Sequence, residues 1–218
     1  MTQNTQAITQ QRMASSDRRD QILDVAKQLV ADGGFLAVTM KRLADEAGIT
    51  RTLIYQQFGD LTGVLVALVE REFASELAVY LRSTAMYPGG GVEQFVAVMA
   101  ELLKGVDLNP AAWRLFLMPS EDSPSELHER LSEGRQMVHR YLAESLRSAA
   151  DEGASVMFEQ DFELGVQSIG AVAENLLRLR LENPQAFSHQ RLLDHVRLLS
   201  QSLFGLPTIE QRYPDTTP

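Results

Sequence analysis

Thr39-Met40-Lys41-Arg42-Leu43-Ala44-Asp45-Glu46-Ala47-Gly48-Ile49-Thr50-Arg51-Thr52-Leu53-Ile54-Tyr55-Gln56-Gln57-Phe58 is the stretch from which the fold is read. A threonine hydroxyl at a helix start can accept a backbone N–H that has no partner within the helix, so Thr39 and Thr50 mark two N-caps. Behind Thr39, Met40, Leu43, Ala44 and Ala47 recur on one helical face, with Lys41, Arg42, Asp45 and Glu46 on the other. Gly48 ends this helix and Ile49 plugs the corner, while the small Ala44 and Ala47 let the next helix approach closely. Two short helices joined by so tight a turn form a helix-turn-helix, whose second helix fits the major groove of DNA.

With Ile54 and Phe58 facing inward, the second helix presents Thr50, Arg51, Thr52, Leu53, Tyr55 and Gln56 outward. The set holds hydroxyls, an amide, one guanidinium and one aliphatic side chain, and no carboxylate. Arg51 can bond a guanine edge bidentately or grip a phosphate, and Gln56 can do either. Leu53 offers apolar contact, for instance with a thymine methyl. Thr39 stands at a helix N-terminus, whose free N–H groups and positive dipole end suit a phosphate. Arg18 and Arg19, at the start of the preceding helix, are further candidates for the DNA backbone.

Working outward, three- and four-residue periodicity recurs and β signals are weak. Ile22, Val25, Ala26, Leu29 and Val30 predict a first helix over 18–32, stopped by Gly33-Gly34. After the helix-turn-helix, helices are expected at about 61–85, 92–106, 110–117, 124–152, 158–181 and 189–204. Pro110 and Pro124 suit a first helical turn, where the missing N–H has no intrahelical role. Pro88-Gly89-Gly90-Gly91 reads as a linker; it lacks the Gly-Lys-Ser/Thr of a phosphate loop and leads out of a helix. The expected architecture is all-α. Residues 1–16 form a polar tail, 17–60 a three-helix DNA-binding domain, 61–206 a helical-bundle domain for ligand binding and dimerisation, and 207–218 a second tail.

The 218 residues carry a formal net charge of −9, from 20 Lys+Arg against 29 Asp+Glu. Taken whole, this argues against a nucleic-acid partner. Residues 1–60, however, hold seven of each sign, so the entire surplus of negative charge follows residue 60. Such asymmetry suggests regions that face different partners. With 44% apolar residues the chain can bury a core. The absence of cysteine excludes disulfides, thiolate catalysis and Cys-ligated metal. No apolar run reaches the roughly 18 residues that span a bilayer, and the Gln- and Thr-rich start lacks an apolar signal region, so a cytoplasmic protein without membrane contact is expected. His128, His139, His189 and His195 show no His-x-x-x-His or His–Glu metal spacing, and no nucleophile elbow is present. Neither enzymatic activity, nor a metal, nor a cofactor is expected.

From Arg18 to about Glu70 the sequence resembles the N-terminal domain of the tetracycline-repressor (TetR) family of bacterial transcription regulators. The resemblance is carried by Arg19-Asp20-Gln21-Ile22-Leu23, Gly34, Thr39, Leu43-Ala44, Ala47-Gly48-Ile49-Thr50 and Tyr55-x-x-Phe58, in the family's order and spacing. It implies Thr39 at a phosphate, Thr50 to Thr52 at bases and backbone, and Tyr55 and Gln56 at phosphates. Two positions depart from the family pattern. Thr52 stands where Gly or Ala is frequent, and Leu61 replaces a lysine, leaving the hydroxyl of Thr62 as the nearby phosphate donor.

The remainder of the chain supplies candidates for two further roles. Tyr87, Phe95, Met99, Trp113, Phe116, Met118 and Met137 are the aromatic and adaptable side chains expected around an apolar ligand, the alternative being ordinary core. Glu174 and Asn175 interrupt an apolar helix and either reach a polar group of the ligand or face solvent or the partner subunit; Asn175 is the candidate named for the ligand. Ile169, Val172, Leu176, Leu192, Val196 and Leu199 form stripes on the last two helices. These can pack against a symmetry mate as a four-helix bundle or be used wholly within the monomer. The function expected is that of a repressor, bound as a homodimer to a near-palindromic double-stranded operator and released by a small, largely apolar effector. The alternative is a protein-interaction adaptor or small-molecule carrier that keeps the fold without operator binding.

Overall fold

The computed structural model describes residues 15–86, 91–118, 124–151 and 162–204. Among the described residues there are nine α-helices: α1 (Ser15–Gly33), α2 (Met40–Ala47), α3 (Arg51–Phe58), α4 (Leu61–Met86), α5 (Gly91–Leu108), α6 (Pro110–Leu117), α7 (Ser125–Asp151), α8 (Phe162–Glu182) and α9 (His189–Phe204). Ser15 and Ser16, expected in the tail, already belong to α1. The other tail positions lie outside the described residues, as do 88–90 of the expected linker and 158–161 of the expected eighth helix, while Gly91 of the linker belongs to α5. A 3-10 turn, Phe35–Ala37, was not expected. Phe35 is buried there and anchors the crossing from α1 to α2.

The first three helices form because their ends are locally satisfied. Thr39 Oγ1 accepts from Arg42 N at 3.2 Å and Thr50 Oγ1 from Leu53 N at 3.3 Å, so both expected caps are in place. Gly48 adopts φ 65°, a left-handed conformation that a side chain disfavours. Its N–H returns to Ala44 and Asp45, while Ile49 N–H returns to Ala44 O at 3.0 Å. Two α1 side chains serve the other ends. Gln21 Nε2 donates to Ala47 O at 3.1 Å, and Arg19 Nη1 donates to Gln57 O at 2.7 Å while its guanidinium lies 4.2 Å from the Phe58 ring centroid. Arg19 therefore holds α3 against α1.

Ile22, Ala26, Leu29, Leu43, Ile54, Val64 and Leu68 form one enclosed core among α1–α4, joined by Leu115 of α6 and Leu127 and Leu131 of α7. A second core draws on α5, α6, α8 and α9, including Leu103, Trp113, Leu177, Leu192 and Val196. Helix α6 belongs to both: Leu115 packs toward α1, Trp113 and Leu117 pack the opposite way, and Phe116 meets each core. Arg114 Nη1 also donates to Ala31 O near the end of α1, at 2.9 Å. On the far side, Arg180 grips Asp107 with two bonds of 2.8 and 2.7 Å, holding that carboxyl below its ordinary value and joining α8 to α5.

Helices α8 and α9 place most of the expected dimer stripe inside the chain, the alternative use of such a stripe. Ile169, Leu176, Leu192 and Val196 are buried within this chain, Ile169 beside Leu146 and Val166 and the other three in the second core. A stripe of this period is the same whether the partner helix is in the same chain or another, and here α5, α6 and α7 cover it. Of the six, Val172 is exposed at 39% and Leu199 is half-buried.

Candidate functional site

Helix α3 stands at the surface with Thr50, Arg51, Thr52, Tyr55 and Gln56 exposed, Leu53 half-buried and Ile54 fully enclosed beneath them. Tyr55 is 51% exposed, a large aromatic surface with no intramolecular role in the core. The capping bonds use Thr39 and Thr50 as acceptors, so each hydroxyl hydrogen stays available to donate to a phosphate oxygen. Thr39, at the start of α2, is exposed too. Lys41 beside it is likewise exposed, whereas Arg42 is engaged with Glu46 at 3.0 Å. Leu61 packs against the core beneath, so no cation stands at that position. The exposed surface of α3 bears one cation and no anion, which suits a polyanionic groove.

The second site is a cavity of about 200 Å³ enclosed by α4, α5, α6, α7 and α8. Its wall follows α4 from Val69 through Phe73, Leu77 and Tyr80 to Thr84, and follows α7 from Arg130 to Leu146. At 1.5 Å per residue, each run spans about 20 Å, so the cavity is elongated. Phe73 lies on Gly134, where a Cβ would stand only 3.0 Å from the ring. Phe116 meets Phe73 and Trp113 edge-on, with centroids 6.1 and 5.9 Å apart. Phe95, Met99, Trp113 and Phe116 are on this wall.

Three other candidates are not on it. Met118 caps α6 with 44% exposure, Met137 sits on α7 away from the lining, and Asn175 is exposed and accepts from Arg178 at 3.0 Å. Its neighbour Glu174 lines the cavity instead, because one residue on a helix turns the side chain by about 100°. Tyr87 lies outside the described residues. Glu76, Tyr80 and Arg135 line the cavity without having been singled out, and so does His139, considered only for a metal. A signal for Glu76 existed: Glu72 and Glu76, four apart, share one face of a largely apolar helix.

Those two carboxylates differ in electrostatics. Glu72 is 4% exposed, yet its Oε2 accepts from Lys27 at 2.8 Å and from Asn109 at 3.0 Å, and its Oε1 accepts from Arg71 at 2.8 Å. Burial pushes this carboxyl up, but the bonds from Lys27, Asn109 and Arg71 outweigh burial and hold it below its ordinary value. Arg71 continues to Asp24 of α1 at 2.9 Å. Glu76, one turn on, faces the cavity and accepts from the same Asn109 at 3.2 Å. Burial raises its pKa, opposed by Asn109 and reinforced by the charge of Glu72. Trp113 beside it weakly favours the charged form, although no hydrogen bond of ordinary geometry reaches the buried indole Nε1. A chain of polar contacts thus runs from the cavity wall through Asn109 and Glu72 to α1. Among the described residues no cluster of His, Asp or Glu could hold a metal, and no helix is long and apolar enough to cross a membrane.

Comparison with known proteins places this geometry in a family. The profile of bacterial regulatory proteins of the tetR family matches residues 22–68, the span from α1 into α4. An uncharacterized HTH-type transcriptional regulator of Mycobacterium bovis is 30% identical over 146 residues, covering 64% of this chain and 72% of that protein. The HTH-type transcriptional repressor KstR of Rhodococcus jostii is 25% identical over 122 residues, covering 53% of this chain and 55% of its own. Among solved structures, the transcriptional regulator FadR of Bacillus subtilis, in complex with stearoyl-CoA, superposes with a TM-score of 0.72. Its identity is 18%, and 86% of this chain and 99% of that one are covered, a likeness of fold. The profile match and the regulator of Mycobacterium bovis agree, and this chain belongs to the TetR family of helix-turn-helix transcriptional regulators.

Proposed function

We propose that the protein is a cytoplasmic repressor that binds a near-palindromic operator as a homodimer and is released by a small, elongated and largely apolar effector held in the α4–α8 cavity. The observation that carries this reading is the carboxylate-free outer face of α3, exposed on a fully enclosed core. In it Thr50, Arg51, Thr52 and Leu53 meet bases and backbone, and Thr39, Tyr55 and Gln56 meet phosphates. Two copies of α3 must stand about 34–36 Å apart to enter successive major grooves. The partner surface is the solvent side of α8 and α9, where Val172 is exposed. The sign of regulation is supported by the repressor relative, and the nature of the effector by the apolar wall and by a neighbour of the same fold that takes stearoyl-CoA.

Release follows from the shared helices. An effector that pushes on Trp113 and Phe116 moves α6, which carries Leu115 and Arg114 onto α1. Pressure on α4 acts on α1 through Glu72 and Lys27. Helix α1 in turn holds the ends of α2 and α3 through Gln21 and Arg19, so its displacement re-aims the reading helix. An effector shifts this equilibrium by its differential affinity for the two arrangements. Band-shift titration of DNA from upstream of the protein's own gene, at several salt concentrations, tests the reading. Sequence-selective binding that weakens steeply with salt is expected; its absence at every salt concentration contradicts it.

A further inference from the structure

We propose that Glu76 sets the chemical class of the effector, receiving a hydrogen-bond-donating head, an amine or a hydroxyl, on a molecule whose body is apolar. This rests on the reading of the cavity as the effector site. Glu76 stands near the middle of the α4 run that lines the cavity, between Phe73 and Tyr80, and opposite Trp113. An ionised carboxylate is an acceptor only, with room for about four hydrogen bonds. Among the described residues one donor is bonded to it, Asn109, and that amide is shared with Glu72. A second carboxylate, Glu174, lines the cavity from α8, and the cations of the wall are differently placed. Arg130 is exposed and tied to Glu70 and Glu133, and Arg135 is exposed as well.

A donor head at Glu76 supplies hydrogen bonds that the surrounding aromatic side chains cannot. A carboxylate head at the same place brings two anions together in a poorly solvated space, where their repulsion is strong. Gly105 lets α5 pack closely against this carboxylate and the indole: a Cβ there would lie 3.0 Å from Glu76 Oε2 and 3.2 Å from Trp113 Nε1. A head that bonds Glu76 shares that carboxylate with the Asn109 amide, which links the event to Glu72 and α1.

The chain has one tryptophan, and it adjoins Glu76, so its emission reports binding. The full-length protein is titrated with decylamine, decan-1-ol and decanoate, three probes of equal chain length. The expected result is that amine and alcohol bind at least about tenfold more tightly than decanoate. In Glu76→Gln the amine's advantage over decanoate falls by about tenfold. Glu76→Asp, which keeps the carboxylate, keeps the order of the three. Equal affinity for amine and decanoate in the wild type, an unchanged ratio in Glu76→Gln, or loss of the order in both variants overturns the role of Glu76 while leaving the cavity as a binding site. No change of emission with any of the three overturns the cavity reading together with it.

Discussion

In the helix-turn-helix end, Ile22, Leu29, Leu43, Ile54 and Val64 are completely enclosed by one another, whereas along α4–α8 Phe95, Leu102 and Phe116 face a space of about 200 Å³. Both regions are helical and both are rich in apolar side chains. At one end those side chains fill their core and leave on α3 a polar face free of carboxylates. At the other they leave a void inside, with Glu76 and Glu174 on its wall. The difference separates reading from sensing: a recognition helix needs a rigid base, and a ligand site needs unfilled volume with few polar groups. Charge follows the same division. The surplus of negative charge lies after residue 60, and the surface meant for phosphates carries none of it on α3. Net charge alone argues against a DNA partner; its distribution removes the objection.

The contrast is broken most sharply by truncating the two kinds of apolar residue. Ile54→Ala opens a cavity in the closed core and is expected to destabilise the protein by about 3 kcal/mol. Leu102→Ala, on a wall that already lacks neighbours on one side, is expected to cost about 1 kcal/mol. Urea denaturation compares them; equal losses mean that the cavity wall is packed as tightly as the reading head. Glu72→Ala cuts the junction itself. It removes the acceptor shared by Lys27, Arg71 and Asn109, with an expected loss of about 2 kcal/mol.

How far each region is legible in the sequence follows from how local its determinants are. Thr39, Gly48 and Thr50 act within one helical turn, so the caps, the turn and the exposed set on α3 could be read directly. Phe95, Met99, Trp113 and Phe116 were legible as large adaptable side chains between helices. Leu176, Leu192 and Val196 were not, since periodicity identifies an apolar face without saying which chain covers it. Met118 and Met137 carry no phase information of that kind. The Lys27–Glu72–Asn109 junction joins residues 45 and 37 positions apart, beyond any local signal.

Smaller effects sharpen the comparison. Thr50→Ala removes the cap of α3 and should cost about 1 kcal/mol, with weaker DNA binding because the helix start frays. The two junction carboxylates should respond to pH with opposite sign. Glu72, held below its ordinary value, contributes stability that is present above the ordinary carboxylate range and is lost as pH falls through its lowered pKa. Glu76, raised above its ordinary value, contributes stability at acid pH that is lost as pH rises through its raised pKa. Thermal unfolding between pH 4 and pH 7, about the window in which carboxylates titrate, should therefore show Glu76→Gln gaining on the wild type as pH rises. A constant difference across that window contradicts the assignment of an unfavourable charge to Glu76.

The central claim is that the exposed face of α3 reads DNA. Fluorescence anisotropy on labelled upstream DNA, with wild type and the Arg51→Ala/Tyr55→Ala double variant at matched salt, measures it. Circular dichroism and gel filtration of both proteins accompany it. The account predicts that the variant keeps its helical content and its size in solution while losing at least about a hundredfold in affinity. A folded variant that binds the same DNA as tightly as the wild type contradicts it.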